Sequence, residues 1–243
     1  MTKLILEAIH NYSLNNKLKI LIIGPGKSTI AKNIISNYPC IKIDFIDHNN
    51  DSLEFQKQLL ANESIEMNFI QTELSDSESL KALADNYNLI LCTEVIEHVK
   101  NETLLLSNLS KYLDDNGIFI ISVPNGTIDR FLMNINTKYM QDYDKNKGHV
   151  NFYSAKELCS LLNKSGYEII QFNRICSQFT FFHLLLVMFT IPIDEDTGQI
   201  YNTNHFAVRY GNHMMNLICK LKLNSILNQI IPRNYFAILK KAI

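Results

Sequence analysis

The chain has 243 residues, of which 47% are hydrophobic and 19% are charged, and its formal net charge is -1. This length and composition predict a packed α/β domain and exclude a disordered chain. Because proteins that bind phosphate backbones usually carry a basic excess, the net charge disfavours nucleic acid as the main partner.

The cysteines and the first residues favour a reducing compartment. The five cysteines, at positions 40, 92, 159, 176 and 219, have no CxxC spacing, so neither a disulfide framework nor a cysteine zinc site is indicated. The opening apolar run is broken by Glu7 and His10, which does not match a signal peptide. We therefore expect a cytoplasmic protein.

Apolar runs rich in β-branched residues alternate with helical patterns along the chain. An amphipathic helix is predicted over residues 2–16. The strand-like runs then follow at 19–24, 41–47, 65–71, 88–93 and 117–124. Capping-box patterns predict helix starts at Ser75 and Ser154, and the second of these helices should end at Gly166. This alternation predicts βαβ units in a parallel sheet with right-handed crossovers.

The C-terminal third adds two strands separated by a long stretch. A sixth strand is expected at 167–175 and a last one at 234–242, and we interpret 176–232 as a helical insertion. Its apolar part, 175–193, contains polar residues and a proline, which disfavours a membrane span. Three interpretations stay open: packing against a second insert helix, a pocket wall for a lipid-linked substrate, and an interfacial helix in peripheral contact with a membrane.

Two features at the ends of the first two strands predict a site for an adenosine-type cofactor. Strand one ends in Gly24-Pro25-Gly26, where glycines allow a tight turn and the close approach of a ligand. Strand two ends in Asp47, and an acid about 20 residues past such a turn can accept hydrogen bonds from ribose hydroxyls. Both features lie at the carboxyl edge of the predicted sheet, where ligands bind in open α/β folds.

Other interpretations of this turn are less favoured. A phosphate-binding loop would need glycine at position 21, which is Leu21. A dinucleotide dehydrogenase would need its third glycine at position 29, which is Thr29. An ordinary strand–helix turn without a ligand is the remaining alternative, and the motifs further along the chain weigh against it.

Further motifs follow the fourth and fifth strands. Strand four runs into Glu94-Val95-Ile96-Glu97-His98, and strand five ends in Val123-Pro124-Asn125-Gly126. Gly148-His149 then precedes the aromatic pair Phe152-Tyr153. Following the Gly-x-Gly turn and the acid of strand two, this series resembles the class I S-adenosylmethionine-dependent methyltransferases, including the ubiquinone-biosynthesis O-methyltransferases.

The resemblance covers 17–175 and the terminal strand, and it implies one methyltransferase domain over 1–243 with its core in 17–175 and 233–243. It implies a Rossmann-like sheet of seven strands, mostly parallel with an antiparallel last strand, with helices on both faces and the helical insertion before that strand. It also implies S-adenosylmethionine as cofactor and a small-molecule, sugar or lipid-linked acceptor. The cofactor-binding residues that it implies are Gly24, Pro25, Gly26, Asp47, Cys92 and Thr93.

Three positions depart from the family pattern. Ile22 stands where an acid is frequent, Ser28 replaces a third glycine, and Asn88 replaces an aspartate that opens strand four. These departures keep a second hypothesis open, in which the fold is retained as a non-catalytic module that binds S-adenosylmethionine or S-adenosylhomocysteine.

The segment after strand four carries the chemical hypotheses. On a helix, Glu94, Glu97 and His98 would share one face. By resemblance, these three and His149 are candidate ligands of Mg²⁺ or another divalent metal, which would lower the pKa of a substrate hydroxyl. Alternatively, His98 or His149 is a catalytic general base without a metal. In a third interpretation the histidines are structural, with His149 pinning its own loop.

Overall fold

The computed structural model of the protein describes residues 1–12, 17–74, 80, 83, 86–127, 130, 148–175 and 234–242. The helices are α1 (Thr2–Asn11), α2 (Ile30–Asn37), α3 (Asn50–Leu59), α4 (Glu102–Tyr112) and α5 (Ala155–Lys164), with a 3₁₀ turn at Ile96–His98. The strands are β1 (Leu18–Ile23), β2 (Cys40–Asp47), β3 (Glu66–Gln71), β4 (Tyr87–Thr93), β5 (Leu113–Pro124), β6 (Tyr167–Ile175) and β7 (Asn234–Lys241).

The strands form one seven-stranded sheet in the order β3-β2-β1-β4-β5-β7-β6. The pairs β2–β3, β1–β2, β1–β4 and β4–β5 are parallel, and β7 is antiparallel. The seven-stranded, Rossmann-like sheet expected from the sequence is therefore confirmed. β5 begins earlier than expected, because Leu113 already pairs with Tyr87 before a register shift.

The central strands are buried on both faces, which is why their sequences are continuously apolar. Neighbouring residues of β1, such as Ile20 and Leu21, point to opposite faces and are both fully buried. The same holds for Leu89 and Ile90 of β4. A parallel sheet covered on both sides selects such runs, since every side chain then lies in the core.

The end of α5 follows the local rule that its sequence predicted. The helix ends at Lys164, and Gly166 has a φ of +88°. The Gly166 amide donates to the Asn163 carbonyl at 3.3 Å. Glycine is the usual residue at this point because it adopts the left-handed region without steric cost.

The chain divides into two compact units. The first comprises Met1–Val123, Ala155–Phe172 and Phe236–Ile243, and the second comprises Pro124–Ser154 and Asn173–Tyr235. The predicted insertion 176–232, the capping box at Ser75 and the last part of the first predicted helix lie outside the described residues. Within the described part of the chain, no helix is long and apolar enough to cross a membrane.

Candidate functional site

The register of the sheet places three loops at the same edge of the first unit. Ile23, the last residue of β1, pairs with Ile46 of β2 and Cys92 of β4. Thr93, at the end of β4, pairs with Ser122 of β5. The glycine turn, Asp47 and the segment that begins at Glu94 therefore start from one level at the carboxyl edge, where open α/β sheets bind their ligands.

The turn after β1 requires glycine at two positions for different reasons. Gly24 has a φ of +60°, and a Cβ there would lie 2.4 Å from Cγ2 of Val95. Gly26 has a φ of +52°, but a Cβ there would meet no atom within 4 Å. Gly24 thus allows the close packing of two loops, whereas the space beside Gly26 is open to a ligand.

Asp47 is nearly buried, and its carboxylate is tied to the turns on either side of it. Oδ1 accepts a hydrogen bond from the Asn49 amide at 2.9 Å, and Oδ2 accepts one from the Gly26 amide at 3.4 Å. His48 Nδ1 lies 3.3 Å from Oδ1. Each carboxylate oxygen has two lone pairs, and the Gly26 bond is long, so the carboxylate can accept further bonds from a ligand diol. These residues fit the adenosine-type cofactor that the sequence predicted.

Gln56 is a site residue that the sequence analysis missed. It lies on α3 and is 1% exposed. Its Nε2 donates to the carbonyl oxygens of Gly26 at 2.9 Å and Ser28 at 2.8 Å. The sequence signal that could have identified Gln56 is its spacing from Leu53 and Leu60, which places a polar residue on the apolar face of the helix.

The three departures from the family pattern have local structural explanations. Ser28 Oγ accepts a hydrogen bond from the Ile30 amide at 3.2 Å, which satisfies a free donor at the start of α2. Asn88 Oδ1 accepts from the Lys19 amide at 3.0 Å and so ties β4 to β1. Ile22 is buried in the core.

The segment after β4 is not one helix, so the expectation that Glu94, Glu97 and His98 share a helical face is wrong. Glu94 has a φ of +56°, the one positive value at a non-glycine residue in the described ranges. Its amide donates to the Ser122 carbonyl at 2.9 Å, and its Oε1 accepts from Ser122 Oγ at 2.9 Å. These two bonds to β5 hold the chain in a conformation that a helix could not include.

Glu97 and His98, which follow Glu94 in the chain, lie close together. Glu97 is 1% exposed, the His98 side chain is 40% exposed, and His98 Nε2 lies 4.0 Å from Glu97 Oε1. The pair therefore joins an accessible imidazole to a buried carboxylate.

Cys92 and Thr93 differ in what they can offer a cofactor. Cys92 is fully buried. Burial, together with the negative charge of Glu97, raises the pKa of its thiol above the usual range, so the thiol stays neutral. Any contact of Cys92 with a ligand would use its backbone, whereas Thr93 is half-buried at the edge of the sheet.

The second unit contains His149 and the residues that follow β5. The His149 ring packs edge-on against Phe152, with centroids 6.1 Å apart. Asn125 is buried, and its Oδ1 accepts from Tyr235 Oη at 2.7 Å and from the Thr127 amide at 3.1 Å. These contacts explain the aromatic and asparagine motifs by packing within this unit.

A family model described as a methyltransferase domain matches residues 1–172. The chain is 30% identical over 168 residues to the ubiquinone biosynthesis O-methyltransferase of Rickettsia typhi, a match that covers 65% of this chain. It spans 63% of the length of that relative, less than two thirds.

Two solved structures share the fold. An S-adenosylmethionine-dependent methyltransferase from Mesorhizobium loti superposes with a TM-score of 0.60 at 12% identity, covering 93% of this chain and 92% of that one. The cyclase SpnF superposes with a TM-score of 0.61 at 12% identity, covering 100% of this chain and 82% of that one. At these identities the likeness concerns the fold alone.

Proposed function

Because the chain belongs to the methyltransferase domain family, we propose that it transfers the methyl group of S-adenosylmethionine to an oxygen of a small-molecule, sugar or lipid-linked acceptor. The observation that carries this proposal is the arrangement of Gly24, Gly26 and Asp47 at the carboxyl edge of the first unit. The O-methyltransferase named above supports the choice of oxygen, since the chain is 30% identical to it over 168 residues.

The cofactor would supply a methyl group on a cationic sulfonium. The protein therefore has to bind the cofactor and the acceptor, orient them, and take a proton from the acceptor. The glycine turn lets its backbone approach the ligand closely, because Gly26 carries no side chain and the space beside it is open. Asp47 would accept hydrogen bonds from ribose hydroxyls with lone pairs that its own contacts leave available.

His98 is our candidate for the group that takes the proton from an acceptor hydroxyl. Its imidazole is accessible, and a neutral imidazole nitrogen is the usual general base near neutral pH. The buried carboxylate of Glu97, 4.0 Å away, would stabilise the imidazolium that forms. His149 remains the second candidate for the general base, because of the sequence motif in which it lies.

A divalent metal held by Glu94, Glu97, His98 and His149 is the alternative mechanism. The Glu94 carboxylate already accepts from Ser122 Oγ. His98 Nε2 and Glu97 Oε1 lie 4.0 Å apart, close to the about 4.2 Å that separates opposite ligands of an octahedral ion with bonds of about 2.1 Å. Each residue can offer one ligand atom to an ion, so the Mg²⁺ dependence of the protein distinguishes this alternative from the metal-free base.

The alternative function is that of a non-catalytic module that retains the fold and binds the cofactor. The fold does not by itself specify methyl transfer, and a cyclase of the same fold illustrates the point. Partners are also proposals: the insertion 176–232 would provide the wall for a lipid-linked acceptor or the peripheral contact with a membrane.

Calorimetric titration with S-adenosylhomocysteine, with and without Mg²⁺, tests the cofactor site. We expect binding in both conditions. In a thermal-unfolding assay, the ligand at 100 times its dissociation constant should raise the free energy of unfolding by about 2.7 kcal/mol. A folded protein that does not bind would contradict the proposal, and binding that requires Mg²⁺ would favour the metal alternative.

Transfer of a radiolabelled methyl group to a panel of catechols, sugars and isoprenoid-linked phenols tests catalysis. With an acceptor in hand, His98→Ala should lower kcat about 100- to 10,000-fold, the usual contribution of a general base, with unchanged S-adenosylhomocysteine affinity. His10→Ala, on the exposed face of α1, is the matched control. Full activity of His98→Ala would exclude His98 as the base.

A further inference from the structure

We propose that Gln56 is a positioning residue that holds the turn Gly24–Ser28 in its cofactor-binding conformation. This inference rests on the proposed function, because it assigns to that turn the binding of S-adenosylmethionine. Gln56 lies on the helix that follows Asp47, so the β2–α3 connection would supply both the acid that meets the ligand and the amide that supports the turn.

The contacts of Gln56 lock its amide in one orientation. Nε2 uses both of its donors on the turn, at 2.9 Å to Gly26 O and 2.8 Å to Ser28 O. A flipped amide would instead bring Oε1 against two carbonyl oxygens, which repel it. In the present orientation, Oε1 is buried without a hydrogen-bond partner in the described part of the chain. An apolar side chain would avoid that cost, so the bonds to the turn account for a polar residue here.

The ends of the turn are held by backbone bonds, from the Gly24 amide to the Ile46 carbonyl at 2.8 Å and from the Ser28 amide to the Pro25 carbonyl at 3.2 Å, but Gly26 between them has little packing around it. The backbone of this residue is in the left-handed region, and no atom lies within 4 Å of the position of a Cβ. Glycine loses more conformational freedom on ordering than any other residue. The peptide groups on both sides of Gly26 are instead bonded by side chains, its amide by Asp47 and its carbonyl by Gln56.

The two supports differ in a way that matters for binding. The Asp47 bond to the Gly26 amide is 3.4 Å long, and this carboxylate is the group that would turn to the ribose hydroxyls. The two Gln56 bonds are shorter and come from a buried side chain that the ligand does not need. Gln56 would therefore keep the turn in place when Asp47 engages the ligand.

Gln56→Met tests the inference, because it keeps the length of the side chain and removes both donors. Gln58→Met makes the same change at an exposed position of the same helix. At a temperature where all variants are folded, we expect Gln56→Met to bind S-adenosylhomocysteine about tenfold more weakly than the wild type. Its backbone amides at 26–28 should exchange with deuterium faster in the ligand-free protein. Gln58→Met should match the wild type in both measurements.

A second variant covers the possibility that Gln56→Met does not fold. Gln56→Asn keeps an amide that is too short to reach the turn, so it should show the same two effects. With an acceptor in hand, both variants should raise the KM for S-adenosylmethionine and leave kcat at saturation within twofold, which lower stability alone would not do.

The outcomes separate this inference from the proposed function. Wild-type binding together with wild-type affinity in the Gln56 variants would overturn the inference alone. Failure of both variants to fold would make Gln56 a structural residue and would also overturn it. Failure of the folded wild-type protein to bind S-adenosylhomocysteine would overturn both proposals.

Discussion

The position of Asp47 at the end of β2 is enough to predict a ligand-binding role. A carboxylate at the end of β2 was expected from its distance to the glycine turn, and its geometry agrees with a ligand-binding role. It is nearly buried, yet its oxygens are not saturated by the Asn49 and Gly26 amides. Burial strengthens the hydrogen bonds that it would offer to a ribose, because water competes less well for them.

Asp47→Ala should weaken S-adenosylhomocysteine binding by about 1–3 kcal/mol, the range for lost hydrogen bonds to a charged group. Calorimetry at constant pH measures this change. Asp51→Ala, which removes an exposed carboxylate from the first turn of α3, is the control and should leave affinity unchanged. Equal affinities for wild type and Asp47→Ala would remove the ribose assignment.

Other residues acquire their roles only through neighbours that are distant in sequence. Gln56 contacts a turn that lies 28 to 30 residues earlier in the chain. Ser122 holds Glu94 from the adjacent strand. Neither belongs to a motif. The family resemblance implies that Cys92 contacts the cofactor. Its side chain is fully buried, so this contact stays a prediction for its backbone.

At the scale of elements, the close approach of the β1 turn to the segment after β4 is the feature with the sharpest steric requirement. A Cβ at Gly24 would lie 2.4 Å from Val95 Cγ2, a distance that real Cβ atoms do not reach. The left-handed backbone of Gly24 adds a second, independent cost for any other residue.

Gly24→Ala should therefore destabilise the protein by more than Gly26→Ala, whose cost is confined to the backbone and is about 1–2 kcal/mol. Combining Gly24→Ala with Val95→Ala should recover part of the loss, because the smaller side chain removes the clash. Urea unfolding of the single and double variants measures the coupling. Simple additivity of the two substitutions would show that Val95 is not the atom group that excludes a side chain at 24.

The segment from Glu94 to His98 shows why element type was harder to infer than element position. Its spacing matches a helix, but the hydrogen bonds to Ser122 stabilise a left-handed backbone at Glu94, and Ile96–His98 forms one 3₁₀ turn. The competing bonds come from β5, and no pattern within the segment itself signals them.

At the scale of the whole molecule, the buried core sets the response to alkaline pH. Burial raises the pKa of the Cys92 thiol and of the Tyr167 hydroxyl above their usual ranges, and it raises the pKa of Cys40 to about 11. These groups keep their protons in the folded state at pH values where the unfolded chain loses them. Their contribution to stability is therefore complete at neutral pH and is lost as the pH rises.

The free energy of unfolding should accordingly fall above about pH 8.5, by up to about 1.4 kcal/mol per pH unit for a fully buried group such as Cys92. Urea unfolding at pH 7, 9 and 10 gives the slope. Cys92→Ala should flatten it, whereas Cys159→Ala, at a more exposed position, should change it less. A pH-independent stability up to pH 10 would contradict the burial argument.

By itself, the sequence determined the order of strands and helices, the glycine turn, the acid at the end of β2 and the family. The elements and the turn depend on local periodicity and on backbone conformations that particular residues require, whereas the family follows from the resemblance of the motifs. Only the tertiary structure decided that the backbone is left-handed at Glu94, that Cys92 lies in the core, and that Gln56 donates hydrogen bonds to Gly26 and Ser28. Those outcomes depend on which groups the parallel register brings side by side, and hydrogen bonds between distant parts of the chain leave no periodic trace in sequence.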